Sequence, residues 1–152
     1  MSAKPGRLER RLDAWARWVV SGGQEKAPPS LLARWMAGKG HIVFGGGSSA
    51  PSDVIETVIE ATVMQMFAED VLGQLRADVL RLEFGAGSHQ VAQRRGIKGF
   101  DPRTRSQAKM AEALGISYRT YRRRLAEAKA TVNAALTAAL PPREKAACPA
   151  SN

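Results

Sequence analysis

Between Gln107 and Ala128 the chain reads QAKMAEALGISYRTYRRRLAEA, a pattern that leaves the backbone few options. Met110, Ala111 and Leu114 recur at helical intervals and form one apolar face. Gly115 follows at the point where a helix needs a residue tolerant of positive φ in order to stop. Ile116 plugs the turn, and Ser117 has the hydroxyl that accepts an orphan amide at the start of a second helix. That helix places Tyr121, Leu125 and Ala128, spaced by four and three, on a buried stripe. At about 100° per residue, Arg119, Arg122, Arg123 and Ala126 fall on the opposite face, and Tyr118 and Arg124 flank the stripe. Small Ala111 lets the two helices approach closely. The spacing therefore predicts a helix-turn-helix over about 106–129 whose second helix has a basic outer face. A plain helical hairpin with a solvated arginine face is the alternative. The agreement of cap, turn glycine, apolar spacing and charge favours a helix that enters a DNA major groove.

A second stretch imitates the first half of this motif. Gln90 to Ile97, QVAQRRGI, matches Lys109 to Ile116, KMAEALGI, in outline. After Ile97, however, come Gly99, Asp101 and Pro102, which would break a recognition helix within its first turn. The later register is therefore assigned the motif, and residues 88–95 are expected to form a short helix capped by Ser88 and ended by Gly96.

The chain has 152 residues, enough for one or at most two small domains with a modest core. Its formal net charge of +9 favours a polyanionic partner. The charge is unevenly spread. Residues 1–50 hold eight Lys/Arg and three Asp/Glu, a balance of +5. Residues 51–83 hold two and seven, giving −5, and residues 84–152 hold thirteen and four, giving +9. Positive charge thus collects around the predicted helix-turn-helix. The central acidic block either repels nucleic acid and meets a basic protein surface, or is the solvated side of two helices. The single cysteine, Cys148, excludes an internal disulfide and a cysteine-based metal site. His41 and His89 are far apart in sequence, so no zinc site and no cofactor are expected. No apolar run has the length of a signal peptide's core or of a membrane span, and a cytoplasmic location, with no membrane partner, is the expectation.

Three regions surround the motif. Residues 1–50 are expected to supply an N-terminal helix plus a Gly/Ser-rich loop. Leu8, Leu12, Trp15 and Val19 mark an amphipathic helix over 6–20, bordered by Arg7, Arg10, Arg11 and Arg17 and ended by Gly22 and Gly23. Docking of this helix on the body of the protein is favoured over RNA or membrane binding. Trp15, Trp18 and Trp35 are read as core packing. A short helix is expected over Ser30 to Met36. The loop 37–51 has neither a phosphate-loop nor a dinucleotide fingerprint. Residues 51–140 are the helical core. One helix starts at Ser52 or Asp53, with Glu56 completing a capping box, and buries Val54, Ile55, Val58, Ile59, Thr62, Met66 and Phe67. A second, roughly 69–83, carries Val71, Leu72, Leu75, Val79 and Leu82. Arg94, Arg95, Lys98, Arg103, Arg105 and Lys109 then form a basic stretch placed to touch phosphates. Val132, Leu136 and Ala139 continue the stripe of Tyr121 until Pro141 and Pro142 stop the helix. Residues 141–152 are expected to be a disordered tail. The fold class is all-α, a small helical domain built around the helix-turn-helix with an additional N-terminal helix.

The helix near Leu75 to Leu82, the run Met110 to Ser117, Thr120 and Leu125 are together similar to the promoter-reading helix-turn-helix of bacterial sigma factors. The chain differs from these in its insert 84–104 and in having no other recognisable sigma domain. The fuller pattern resembles the lambdoid-phage Q antitermination proteins, of the compact type without zinc. The resemblance lies in RLDAWARWVVSGG, RADVLRLEFGAG, QRRGIKGFDPR and LGISYRTYRRRLAEAK, which cover the N-terminal helix and most of residues 74–130. It implies a protein that binds double-stranded DNA at a phage late promoter and engages RNA polymerase paused there with its sigma factor. Such a protein then travels with polymerase and narrows the RNA exit path so that terminator hairpins cannot form. Self-association on DNA or polymerase is compatible with it. For DNA, Arg119, Arg122 and Arg123 are the expected base readers, since an arginine fork pairs with guanine. Tyr118 would meet bases or backbone at the start of the helix. Ser117, Arg124, Lys109, Arg105, Arg103 and Lys98 are the expected phosphate contacts. The N-terminal helix and loop 37–51 are the candidates for touching polymerase.

Three other readings compete. A simple promoter-binding repressor or activator would use the same motif without any role in elongation. A packaging or interaction protein would bind nucleic acid without sequence preference. An enzyme would need convergent catalytic groups, and the one acidic cluster, Glu56, Glu60, Glu69 and Asp70, lies on helices whose other faces look like core. The expectation is that the protein is not an enzyme.

Overall fold

A computed structural model describes residues 6–23, 54–101, 103 and 106–140. The expected short helix over 30–36, the loop 37–51, Trp35, Arg105 and the tail 141–152 lie outside these residues. Among the described residues the protein is all-helical. Its six helices are α1 (Arg7–Val20), α2 (Val54–Glu69), α3 (Val71–Phe84), α4 (Ser88–Arg95), α5 (Gln107–Leu114) and α6 (Tyr118–Ala139). No helix among the described residues is long and apolar enough to cross a membrane.

α2 is the axis of the fold, with α1, α3 and α6 packed on it. Thr57, Val58, Ile59, Glu60, Ala61, Thr62 and Val63 are buried in succession, so neighbours surround this helix on every side. A single buried stripe was the expectation from its spacing. A helix that is apolar nearly all round has no polar face to give to water, and it becomes the centre of the bundle. The expectation fails at the C-terminal end of α2, where Phe67 is exposed. It fails again at the start of α3, where Val71 and Leu72 are exposed and the core is supplied instead by Ala77, Val79, Leu80 and Leu82.

α1 docks on this axis through Leu12, Trp15 and Ala16. The Trp15 indole donates a 3.0 Å hydrogen bond to Glu60 Oε1 inside the core. Arg81 holds the same carboxylate at 2.9 Å and lies over the Trp15 ring. The buried Trp15 indole thus has its polar partner in Glu60, and the buried Glu60 carboxylate has its cation in Arg81. Trp18 is only partly buried. Lys129 on α6 reaches Glu9 at 3.2 Å and clasps the two helices.

α4 is a short helix whose last turn is tied to α3. Asp78 is wholly buried, and Arg94 grips it with two bonds of 3.0 and 2.6 Å while Arg95 Nε adds a third. A carboxylate out of water is tolerated only with such pairing. This corrects the reading of Arg94 and Arg95 as phosphate contacts: their charge is committed to Asp78. Ser88 also differs from expectation. It is the first residue of α4 and is buried, and Gly87 takes the cap position with no side-chain hydrogen bond.

Candidate nucleic-acid interface

α5 and α6 carry the motif, and each local feature has a hydrogen bond behind it. Ser106 starts α5 by accepting from the Lys109 amide at 3.2 Å. Gly115 ends it in the left-handed region at φ 74°, and the Ile116 amide donates back to the Ala111 carbonyl at 3.0 Å. This turn geometry requires a residue without a Cβ. Ser117 then caps α6 by accepting from the Thr120 amide at 3.0 Å. Three residues, Gly115, Ile116 and Ser117, therefore make the whole connection. The imitating stretch makes the same stop, with Gly96 at φ 70° and Ile97 bonded back to Ala92 at 2.8 Å. Among the described residues no helix follows it before α5; Lys98 and Gly99, the latter at φ 69°, stand where the motif has Ser117 and Tyr118.

The pair is anchored to α3 through one carboxylate. The Tyr121 hydroxyl donates to Glu83 Oε1 at 3.0 Å, and Gln107 Nε2 donates to Glu83 Oε2 at 3.1 Å. One side chain at the end of α3 thus holds both helices. Met110, Ala111, Tyr121, Leu125 and Ala128 are buried beneath them. Sequence reasoning missed Glu83 and Gln107. Their polarity suggested surface positions, and nothing local announces that a buried tyrosine hydroxyl will need them.

With that stripe inward, Tyr118, Arg119, Arg122 and Arg123 are exposed. Among the described residues no ion pair involves Arg119, Arg122 or Arg123. Arg122 lies 5.7 Å from the Tyr118 ring, so the two form one patch at the start of α6. Lys109 on α5 and Lys98 in the segment before it are also exposed. Arg103 is exposed and sits 3.5 Å from Asp101. Ser117 uses its hydroxyl on Thr120, as a cap must. Arg124 differs from its neighbours: it is largely covered and bonded to Glu127 at 2.6 Å. Glu127 also accepts from Arg76 on α3 at 2.8 Å. Arg124, expected as a phosphate contact, is instead paired within α6 to Glu127, and Glu127 makes the link to α3 through Arg76. Arg105 lies outside the described residues.

Other clusters do not compete with this face. Of the acids considered for catalysis, Glu60 is bound to Arg81 and Trp15, and Asp70 caps α3 by accepting from the Gly73 amide at 2.7 Å. Among the described residues no three His, Cys, Asp or Glu side chains are grouped to hold a metal ion. Comparison with protein-family models, with curated proteins and with solved structures finds no match to this chain.

Proposed function

We propose that this protein is a phage late-gene transcription antiterminator. It reads promoter DNA with the helix-turn-helix formed by α5 and α6, loads onto RNA polymerase paused at that promoter with its sigma factor, and suppresses termination at the RNA exit channel. The observation that carries the DNA-reading part is the exposed arginine face of α6, which has no ion pair among the described residues. Arginines elsewhere in the core are spent on Glu60, Asp78 and Glu127, whereas Arg119, Arg122 and Arg123 are held outward by a buried stripe on the same helix. A rigid helix that presents guanidinium forks suits base edges in a major groove. Lys98, Arg103 and Lys109 supply phosphate contacts beside it. The polymerase part of the reading rests on the resemblance to the Q antitermination proteins.

Terminator read-through in a purified transcription reaction tests it, with a late promoter upstream of a strong hairpin terminator. Read-through is expected to rise on adding the protein and to be abolished by Arg122→Ala. That substitution should cost about 1–3 kcal/mol of specific DNA binding and relax sequence preference. Promoter binding with unchanged termination, in the presence of paused polymerase, would replace this reading with that of a simple DNA-binding regulator.

A further inference from the structure

Four large apolar side chains face outward at the corner where α2 meets α3. Met64 and Phe67 expose 37% and 36% of their surface, and Val71 and Leu72 expose 82% and 38%. The corner is built firmly. Only Asp70 separates the two helices, and its carboxylate fastens the Gly73 amide at 2.7 Å. Gly73 backs so closely onto the Met66 carbonyl that a Cβ would overlap it. The exposed groups therefore sit on a fixed shape, which lowers the cost of ordering them against a partner.

Exposed acids flank the Val71 end of this corner. Glu69 and Asp70 are the exposed acids of the α2–α3 pair. Glu60, Asp78 and Glu83 are turned inward, onto Arg81, onto Arg94 and Arg95, and onto Tyr121 and Gln107. At the other end Arg94, which shares the Asp78 carboxylate with Arg95 and is partly exposed, lies 4.6 Å from the centre of the Phe67 ring, so one guanidinium of the protein already stacks on this surface. The corner also lies at the far end of α3 from Glu83, which anchors α5 and α6. Twelve residues of helix separate Val71 from Glu83, about 18 Å. A contact here leaves the arginine face of α6 open.

We propose that this apolar corner, acidic at its Val71 end, docks a protein surface that is itself apolar and carries Lys or Arg opposite Glu69 and Asp70, and that it is the polymerase-binding face of the antiterminator reading above, on which the inference rests. Nucleic acid is repelled by Glu69 and Asp70, and apolar contact at the centre with opposite charge at the rim is the pattern of protein recognition.

The test compares the full-length protein with the double variant Glu69→Lys/Val71→Ser. Both positions are exposed, so thermal unfolding is expected to change little. The affinity for purified bacterial RNA polymerase holoenzyme is measured alongside that for a mixed-sequence duplex at low salt. Polymerase affinity is expected to fall about tenfold or more, with duplex affinity equal to or above that of the unaltered protein. If the variant binds polymerase as well as the unaltered protein does, the corner is not the docking face, while the antiterminator reading stands. If the unaltered protein does not bind polymerase, both fall.

Discussion

At the scale of single residues, the fold turns on groups that meet partners distant in sequence. Asp78 on α3 and Glu60 on α2 are buried carboxylates whose arginines arrive from the neighbouring helices α4 and α3. Gly73 is a contact point that tolerates no side chain, because the Met66 carbonyl stands where a Cβ would go. Gly73→Ala should therefore destabilise the protein toward the upper end of the about 1–3 kcal/mol that overpacking costs, despite alanine's better helix propensity. Chemical denaturation checks this: an equal or higher unfolding midpoint for the alanine variant would show that α2 and α3 separate there without strain.

At the scale of elements, the placement of α6 depends on its junction with α3. Glu127 accepts from Arg76 across that junction and from Arg124 within α6. These bonds, Arg76 first and Arg124 second, hold the Glu127 carboxyl below its ordinary value of 4.5. A carboxyl whose pKa is lowered by folding stabilises the folded state above that ordinary value. The contribution is lost as the pH falls through the lowered one. Glu127→Gln should thus reduce the melting temperature at neutral pH, and the gap to the unaltered protein should close as the pH drops below 4.5. Because the group is partly exposed, the gap should also shrink in high salt. A gap that is constant across pH would mean that packing, not charge, sets the effect.

At the scale of the whole molecule, charge divides into an inner and an outer population. Arg81, Arg94 and Arg95 are ion-paired to the buried Glu60 and Asp78, while Lys109, Arg119, Arg122 and Arg123 are exposed and have no ion pair among the described residues. On the proposed reading, the outer set releases counterions from DNA. Lys109→Ala should lower the slope of log affinity against log salt by about one, and Arg95→Ala should leave the slope unchanged while lowering thermal stability. Duplex-binding titrations at several salt concentrations separate the two. Equal loss of slope in both variants would place Arg95 at the interface and remove the distinction drawn here.

Local chemistry was legible in the sequence wherever a few adjacent residues decide the outcome. Gly115 and Ser117 marked the turn, since left-handed backbone and a capping hydroxyl are properties of single residues. The four-and-three spacing from Tyr121 to Ala139 marked the buried stripe, since helical geometry alone sets which residues share a face. From those two features followed the outward position of Arg119, Arg122 and Arg123. The tertiary structure alone decided the rest. Arg94 and Arg123 are alike as residues, and both stand next to another arginine. One is committed to Asp78 and the other faces water, because which helix lies opposite a side chain depends on packing between segments far apart along the chain. The same reason puts Val71 and Leu72 on the surface. Their spacing qualified them for the core, but among the described residues no neighbouring helix covers the corner where they stand.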